Sequence, residues 1–183
     1  MTFRETPLKG AFIIELKPFT DDRGWFARTF CKDEFQAIGH DQEFVQFNHS
    51  STQKKGTIRG MHYQLPPFSE IKLIRCIRGR VYDVIIDIRE NSSTFLRCFP
   101  VELSEDNMLS LYIPQGFAHG FQTMEDNTQL LYHHTAFYAP GHEAGLRYND
   151  PALGIKWPLQ VTVITEKDQH HSLLNNSFKG ISI

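Results

Sequence analysis

The chain has few cysteines, no excess of either charge and no long apolar run, and each shortage excludes something. Cys31, Cys76 and Cys98 are an odd set with neither zinc-finger nor redox-motif spacing. Reduced thiols in a cytoplasmic protein are therefore expected, rather than a disulfide framework or a structural zinc. The formal net charge of -2 gives no broad basic field, so nucleic acid is not an expected partner. No segment approaches transmembrane length, and Met1 to Lys17 lacks the long apolar core of a signal peptide, so no membrane partner is expected. Linkers, low-complexity blocks and repeats are also missing. With 183 residues, 40% of them hydrophobic, the chain is long enough for one domain, expected to span 1–183, with a sizeable core.

Helical periodicity is scarce as well; strand signals dominate. Phe12 to Leu16 is a short apolar run, and Ile71 to Ile77 is rich in branched residues before a turn at Gly79-Arg80. From Val81 to Ile88 the pattern alternates: Tyr82, Val84, Ile86 and Ile88 share one face, Asp83 and Asp87 the other. Leu111-Tyr112-Ile113 stops at Pro114-Gln115-Gly116, and Gln129 to Thr135 reads as a strand with Leu130, Tyr132 and His134 on one face. Only Lys32 to Ala37 and the segment after Lys167 suggest short helices. Many short strands between Gly and Pro turns predict an all-β barrel or sandwich. A jelly roll is one such solution, and its mouth could hold a ligand against inward polar side chains.

The chemistry-bearing residues fall on these strands. Arg59-Gly60-Met61-His62-Tyr63-Gln64 and Lys72 put an arginine, a histidine and a lysine on two neighbouring segments; His119, Tyr132 and Asp168 follow. A base, a cation, a phenol and a carboxylate are the parts needed to move a proton on and off carbon beside a carbonyl. Such a carbon acid is weak and an imidazole is a weak base for it. A mismatch on the order of ten pKa units is ~14 kcal/mol, so the enolate must be stabilised where it forms, as a lysine ammonium near its oxygen can do. A carboxylate can hold the imidazole in one tautomer, and inversion needs an acid on the opposite face of the ring. Each residue also has a plainer reading. His62 would serve as a hydrogen-bonded core histidine, Lys72 as a snorkelling edge lysine, His119 as a strand-end hydrogen bonder and Asp168 as a helix cap. Tyrosine is common in sheets, and Tyr138, six positions after Tyr132, is an alternative acid or a stacking platform for a base. The neighbours His133-His134 and His170-His171 look like metal ligands, but adjacent strand residues point to opposite faces. Gln64, not a second histidine, stands two residues after His62. No metal and no cofactor are expected.

Several motifs in one order carry a resemblance. They are Asp22-Arg23-Gly24-Trp25-Phe26, Gln46-Phe47-Asn48-His49-Ser50, the Arg59 to Gln64 and Lys72 to Arg75 segments, and Gly79 to Val84. Ile113 to Phe121, Asn149 to Pro158 and Glu166-Lys167-Asp168 complete the set. Through most of its length the chain resembles the dTDP-4-dehydrorhamnose 3,5-epimerase family of the cupin superfamily. The resemblance implies a metal-free, cofactor-independent cupin-type jelly roll. It implies a homodimer, with the N-terminal strands and the Arg23 region contributing across the interface. The substrate would be a nucleotide-diphosphate sugar, a 4-keto-6-deoxy sugar epimerised at C3 and C5. By position it assigns His62 as base, Asp168 as its orienting carboxylate, Tyr132 as proton donor and Lys72 as the enolate's cation. Arg23, Gln46, Asn48, Arg59, His119, Glu143 and Lys167 match substrate-binding positions, and Arg28 and Tyr138 are expected beside them. Four departures stand near the expected nucleotide region: Arg28 where many relatives place a glutamate, Phe47 where an aspartate is usual, one extra residue within Ser51 to Lys55, and Glu70 where relatives often carry a glutamine. They leave a CDP- or GDP-linked sugar open, and inversion at one centre rather than two. A 3,4-ketoisomerase or a non-catalytic sugar-nucleotide-binding module are the other readings; Tyr132 argues against the first and the intact set of four against the second.

Overall fold

Two antiparallel sheets, packed face to face, form the body of the computed structural model, which describes residues 1–183. The strands are β1 (Thr2–Glu5), β2 (Phe12–Glu15), β3 (Phe19–Asp21), β4 (Gly24–Phe26), β5 (Gln46–Thr52), β6 (Ile58–Gln64) and β7 (Lys72–Arg78). They continue as β8 (Arg80–Asp87), β9 (Cys98–Ser104), β10 (Leu109–Ile113), β11 (Phe117–Thr123), β12 (Thr128–His134) and β13 (Glu143–Gly145). Helices are limited to α1 (Lys32–Phe35), a 3₁₀ turn at Gln36–Ile38, and α2 (Glu166–Gln169). The larger sheet has the order β1-β2-β10-β7-β12-β5 and the smaller one β13-β6-β11-β8-β9. β3 and β4 form a separate hairpin. This is the expected all-β jelly roll with a few short helices. No helix is long and apolar enough to cross a membrane.

Alternation determines what each strand buries. Ile13 on β2, Ile74 and Cys76 on β7, Leu111 and Ile113 on β10 and Leu130 on β12 meet Val81, Ile85 and Phe121 of the smaller sheet in the inter-sheet core. Their neighbours Ile14, Leu73 and Tyr112 face outward and are covered by Phe35 of α1. Val84, Ile86 and Ile88 pack outward too, under Leu146, Leu153 and Ile181 from the C-terminal part of the chain. The inner face of β8 is therefore the one carrying Asp83 and Asp87, both fully buried. Buried carboxylates need partners. Asp83 accepts from His119; Asp87 accepts from Arg89, Ser92 and Thr94.

One glycine pair shapes the site. A side chain at Gly60 would put its Cβ 2.5 Å from the Cα of Gly120, and the φ of Gly60 is +129°. Only glycine suits such a backbone. With both positions bare, β6 and β11 approach closely, and His62 and His119 become cross-strand partners beside a register shift.

Candidate active site

Between the two sheets opens a cavity of about 500 Å³, a size that suits a small organic ligand. His62, Arg59 and His119 line it from the smaller sheet; Lys72, Tyr132 and Asn48 line it from the larger one. Gln46, Tyr138, Glu143, Lys167 and Asp168 complete the expected residues found there.

His62 is oriented from behind. Its Nε2 lies 2.7 Å from Asp168 Oδ1, while Asp168 Oδ2 accepts from the backbone N–H of Gly60 at 3.2 Å. An ionised carboxylate only accepts, so the imidazole proton sits on Nε2 and the lone pair is left on Nδ1. Burial works to raise the Asp168 pKa, but the His62 hydrogen bond and charge and the Gly60 N–H outweigh it and hold the carboxyl below its ordinary value. Asp168 also occupies the first turn of α2, where its own N–H donates to the Thr165 capping hydroxyl at 3.2 Å. Capping geometry and histidine orientation coexist: the helix positions the backbone, and the side chain is free to reach β6.

His119 repeats the pattern with a different carboxylate. Its Nε2 is 2.9 and 3.0 Å from the two oxygens of Asp83. Asp83 was legible only as the polar face of β8; that this face turns inward depended on the packing of the C-terminal segment.

On the opposite wall Tyr132 hydrogen-bonds to Ser50 Oγ at 3.2 Å, and burial pushes its phenol well above the ordinary value, with the Ser50 bond opposing only in part. Such a phenol stays protonated at neutral pH. Tyr138 is set differently: more than half exposed at the rim, it donates to Glu143, which also accepts from Lys167. Lys72 lies 3.2 Å from Glu70 Oε1, and His134 Nδ1 lies 2.7 Å from Glu70 Oε2. Arg59 donates to Thr52 Oγ1 at 3.1 Å. Glu70, His134, Ser50 and Asp83 line or support the site and were not among the expected residues. For Glu70 the signal was present, as a carboxylate two positions before the lysine in an apolar segment.

Arg23 and Arg28 do not line this chain's cavity. Arg23 pairs with Asp21 at 2.5 Å on the exposed β3–β4 hairpin, and Arg28 pairs with Glu34 at 2.6 Å next to α1.

The adjacent histidines separate as strand geometry requires: His134 faces the cavity, while His133 packs against Phe44 and Phe47. His170 and His171 lie instead at the end of α2 and just beyond it. His171 groups with His62 and Asp168, their ligand atoms within 4.8 Å of one another, the one grouping in the chain that could take a metal ion. A cation there would compete for the proton that His62 and Asp168 share. Gln64 is committed elsewhere, donating to Phe68 O and accepting from the N–H of Ala139.

A statistical model of the dTDP-4-dehydrorhamnose 3,5-epimerase family matches residues 5–176. A dTDP-4-dehydrorhamnose 3,5-epimerase from Shigella flexneri is 41% identical over 169 residues, covering 92% of this chain and 93% of that protein. The crystal structure of the Bacillus anthracis enzyme of that name, with TDP and PPi bound, superposes with a TM-score of 0.91 at 38% identity, over 94% of this chain and 99% of that one. A dTDP-6-deoxy-D-glucose-3,5-epimerase from Legionella pneumophila, in complex with dTDP-4-keto-L-rhamnose, gives 0.90 at 38% identity over 96% and 94%.

Proposed function

The chain belongs to the dTDP-4-dehydrorhamnose 3,5-epimerase family, a group of isomerases, and from that premise we propose that it inverts dTDP-4-dehydro-6-deoxyglucose at C3 and C5. The observation that carries the reading is the division of the cavity: a carboxylate-braced imidazole on one sheet, an ammonium and a protonated phenol on the other.

His62 Nδ1 removes the proton from the carbon next to the C4 ketone, and Asp168 stabilises the imidazolium that results. The charge that develops on the ketone oxygen faces Lys72. Tyr132 returns a proton from the opposite wall, so the centre inverts. Asp168 held as a carboxylate supports the first step, and the place of the Tyr132 phenol on the wall across from His62, hydrogen-bonded to Ser50, supports the last. Arg59, His119, Gln46, Asn48 and Lys167 bind the diphosphate and sugar oxygens, and Tyr138 with Glu143 forms the rim against the base. Binding the remote nucleotide positions the reacting ring.

The active form is a homodimer acting as one functional unit per chain, 1–183. The β3–β4 hairpin exposes Phe19, Trp25 and Phe26 beside Arg23, a surface suited to a second copy whose cavity Arg23 completes. The protein works in the cytoplasm, where the unpaired Cys31, Cys76 and Cys98 stay reduced. The test is incubation with dTDP-4-dehydro-6-deoxyglucose in deuterated water, following C3 and C5 by NMR. Deuterium at both centres with inverted configuration is expected. No exchange with the dTDP-, CDP- or GDP-linked keto sugar would refute the reading, and sedimentation as a monomer at micromolar concentration would refute the dimer.

A further inference from the structure

An unbroken line of hydrogen bonds crosses the wall formed by β5, β12 and β7. Tyr138 N lies 3.0 Å from Gln46 Oε1, and Gln46 Nε2 lies 3.3 Å from Asn48 Oδ1. Asn48 Nδ2 lies 3.3 Å from His134 Nε2, His134 Nδ1 lies 2.7 Å from Glu70 Oε2, and Glu70 Oε1 lies 3.2 Å from Lys72 Nζ. Register explains the arrangement: His134 on the central strand pairs with Gln46 on one side and Lys72 on the other.

The polarity of this line follows from its two ends. A backbone N–H can only donate, so Gln46 presents its oxygen to Tyr138 and its NH₂ to Asn48. Asn48 must then accept through its oxygen and offer its own NH₂ to His134, whose Nε2 is left to accept. The imidazole proton is consequently on Nδ1, aimed at Glu70. A carboxylate at the far end accepts, as that direction requires. Burial opposes ionisation of Glu70, but the His134 bond and the Lys72 charge prevail and hold its pKa below the ordinary value. Both ends impose the same direction.

We propose that Glu70 and His134 are positioning residues which set the orientation of the Asn48 and Gln46 amides and hold the Lys72 ammonium. The Gln46, Asn48 and Lys72 side chains are then left with donors to spare for a ligand. Each amide keeps one N–H beyond those used in the line, and the lysine keeps two. A wall of this kind selects a ligand that presents lone-pair oxygens, a ketone, hydroxyls or phosphate, to β5 and β7. An ammonium or amide N–H set against the free N–H groups of Gln46, Asn48 and Lys72 would meet like partners. The assignment of Lys72 to the enolate oxygen rests on the proposed function; the direction of the hydrogen bonds does not.

Two measurements test this. Long-range ¹H–¹⁵N correlation spectra of the ligand-free protein above pH 8, with His134→Gln used to assign the signal, report which ring nitrogen carries the proton. The Nδ1–H tautomer at His134 is expected; Nε2–H overturns the proposal, whatever the enzyme's reaction. The second is a pair of near-isosteric variants. In His134→Gln the new amide oxygen stands where Nε2 was, so the link to Asn48 survives and the link to Glu70 is lost; kcat should fall by about tenfold with a smaller change in KM. In His134→Asn the link to Glu70 survives and that to Asn48 is lost; KM should rise by about tenfold with a smaller change in kcat. If both variants shift kcat and KM alike, the pair is only structural. If the parent protein shows no exchange but His134 is the Nδ1–H tautomer, the proposed reaction fails while the wall's polarity stands.

Discussion

Asp168→Asn is the most informative single change, because the structure determines which way the new amide must turn. Gly60 N–H donates to Oδ2 at 3.2 Å, so asparagine keeps its carbonyl there and directs its NH₂ at His62 Nε2. That nitrogen must then accept, and the imidazole proton moves to Nδ1, the atom that should take the substrate's proton. The base is lost without any change of shape. Charge is lost as well. A hydrogen bond to a charged group contributes ~1.5–3 kcal/mol, and two unit charges about 4 Å apart interact by about 4 kcal/mol at an effective dielectric of 20. Allowing for overlap between these, ~4–5 kcal/mol of stabilisation of the imidazolium disappears. At ~1.36 kcal/mol per tenfold, the rate should fall by roughly 10³–10⁴, close to the effect of the same change in a Ser-His-Asp triad, about 10⁴ in kcat. The assay is the rate of deuterium incorporation at C3 and C5, with thermal unfolding as a control; the Thr165 cap uses the Asp168 backbone N–H and survives. A variant that exchanges within tenfold of the parent, while folded, would show that the carboxylate does not set the tautomer.

Tyr132→Phe removes the phenol on the wall opposite His62; proton exchange should persist with retained configuration and inverted product should fall by at least about 10². Normal inversion in that variant, seen by NMR of the product, would move the acid to Tyr138. The Asp87 carboxyl is buried, which opposes ionisation, yet Arg89, Ser92 and Thr94 hold its pKa down at about 2, from an ordinary 3.8. Because the folded value is the lower one, the linked stability, about 2 kcal/mol, is present above pH ~4 and is lost as pH falls through the folded value. Urea unfolding between pH 5 and 2 should therefore show a smaller acid loss in Asp87→Asn than in the parent, and an identical acid limb would contradict the assignment. Gly60→Ala places a Cβ 2.5 Å from Gly120 Cα at a φ of +129°; a loss of about 3 kcal/mol or more is expected in urea unfolding, and a loss under ~1 kcal/mol would mean that the β6–β11 approach is less tight than described.

Local pattern carried the fold a long way. Val81 to Ile88, Ile71 to Ile77 and Gln129 to Thr135 alternate or run apolar at strand length, and each is a strand within a residue or two of its expected bounds. The first short helix stands where it was expected, whereas the second spans Glu166–Gln169 and so begins before Lys167 and does not run on beyond Gln169. Side-chain period made His134 and Tyr132 share a face, because a pleated strand leaves no other arrangement. It was silent on which face of β8 turns inward. The apolar face packs under Leu146, Leu153 and Ile181, and the carboxylate face takes the interior because His119, Arg89, Ser92 and Thr94 meet it there.

Residue types and their order along the chain thus determined the strand set, the candidate base, cation and phenol, and the family resemblance. Tertiary structure alone decided which groups share a proton or a charge. His62 and Asp168 are 106 positions apart, and Glu70 and His134 are 64 apart. Separations of that size are closed by sheet order and by the close approach of Gly60 to Gly120, and no local propensity encodes them. The same holds for Arg23, whose position matched a binding pattern, and for Arg28, expected beside the matching residues: their strands and turns carry them away from this chain's cavity to Asp21 and Glu34. Pairing across a fold depends on where backbones come together, and a one-dimensional pattern records only what each residue can offer once it arrives.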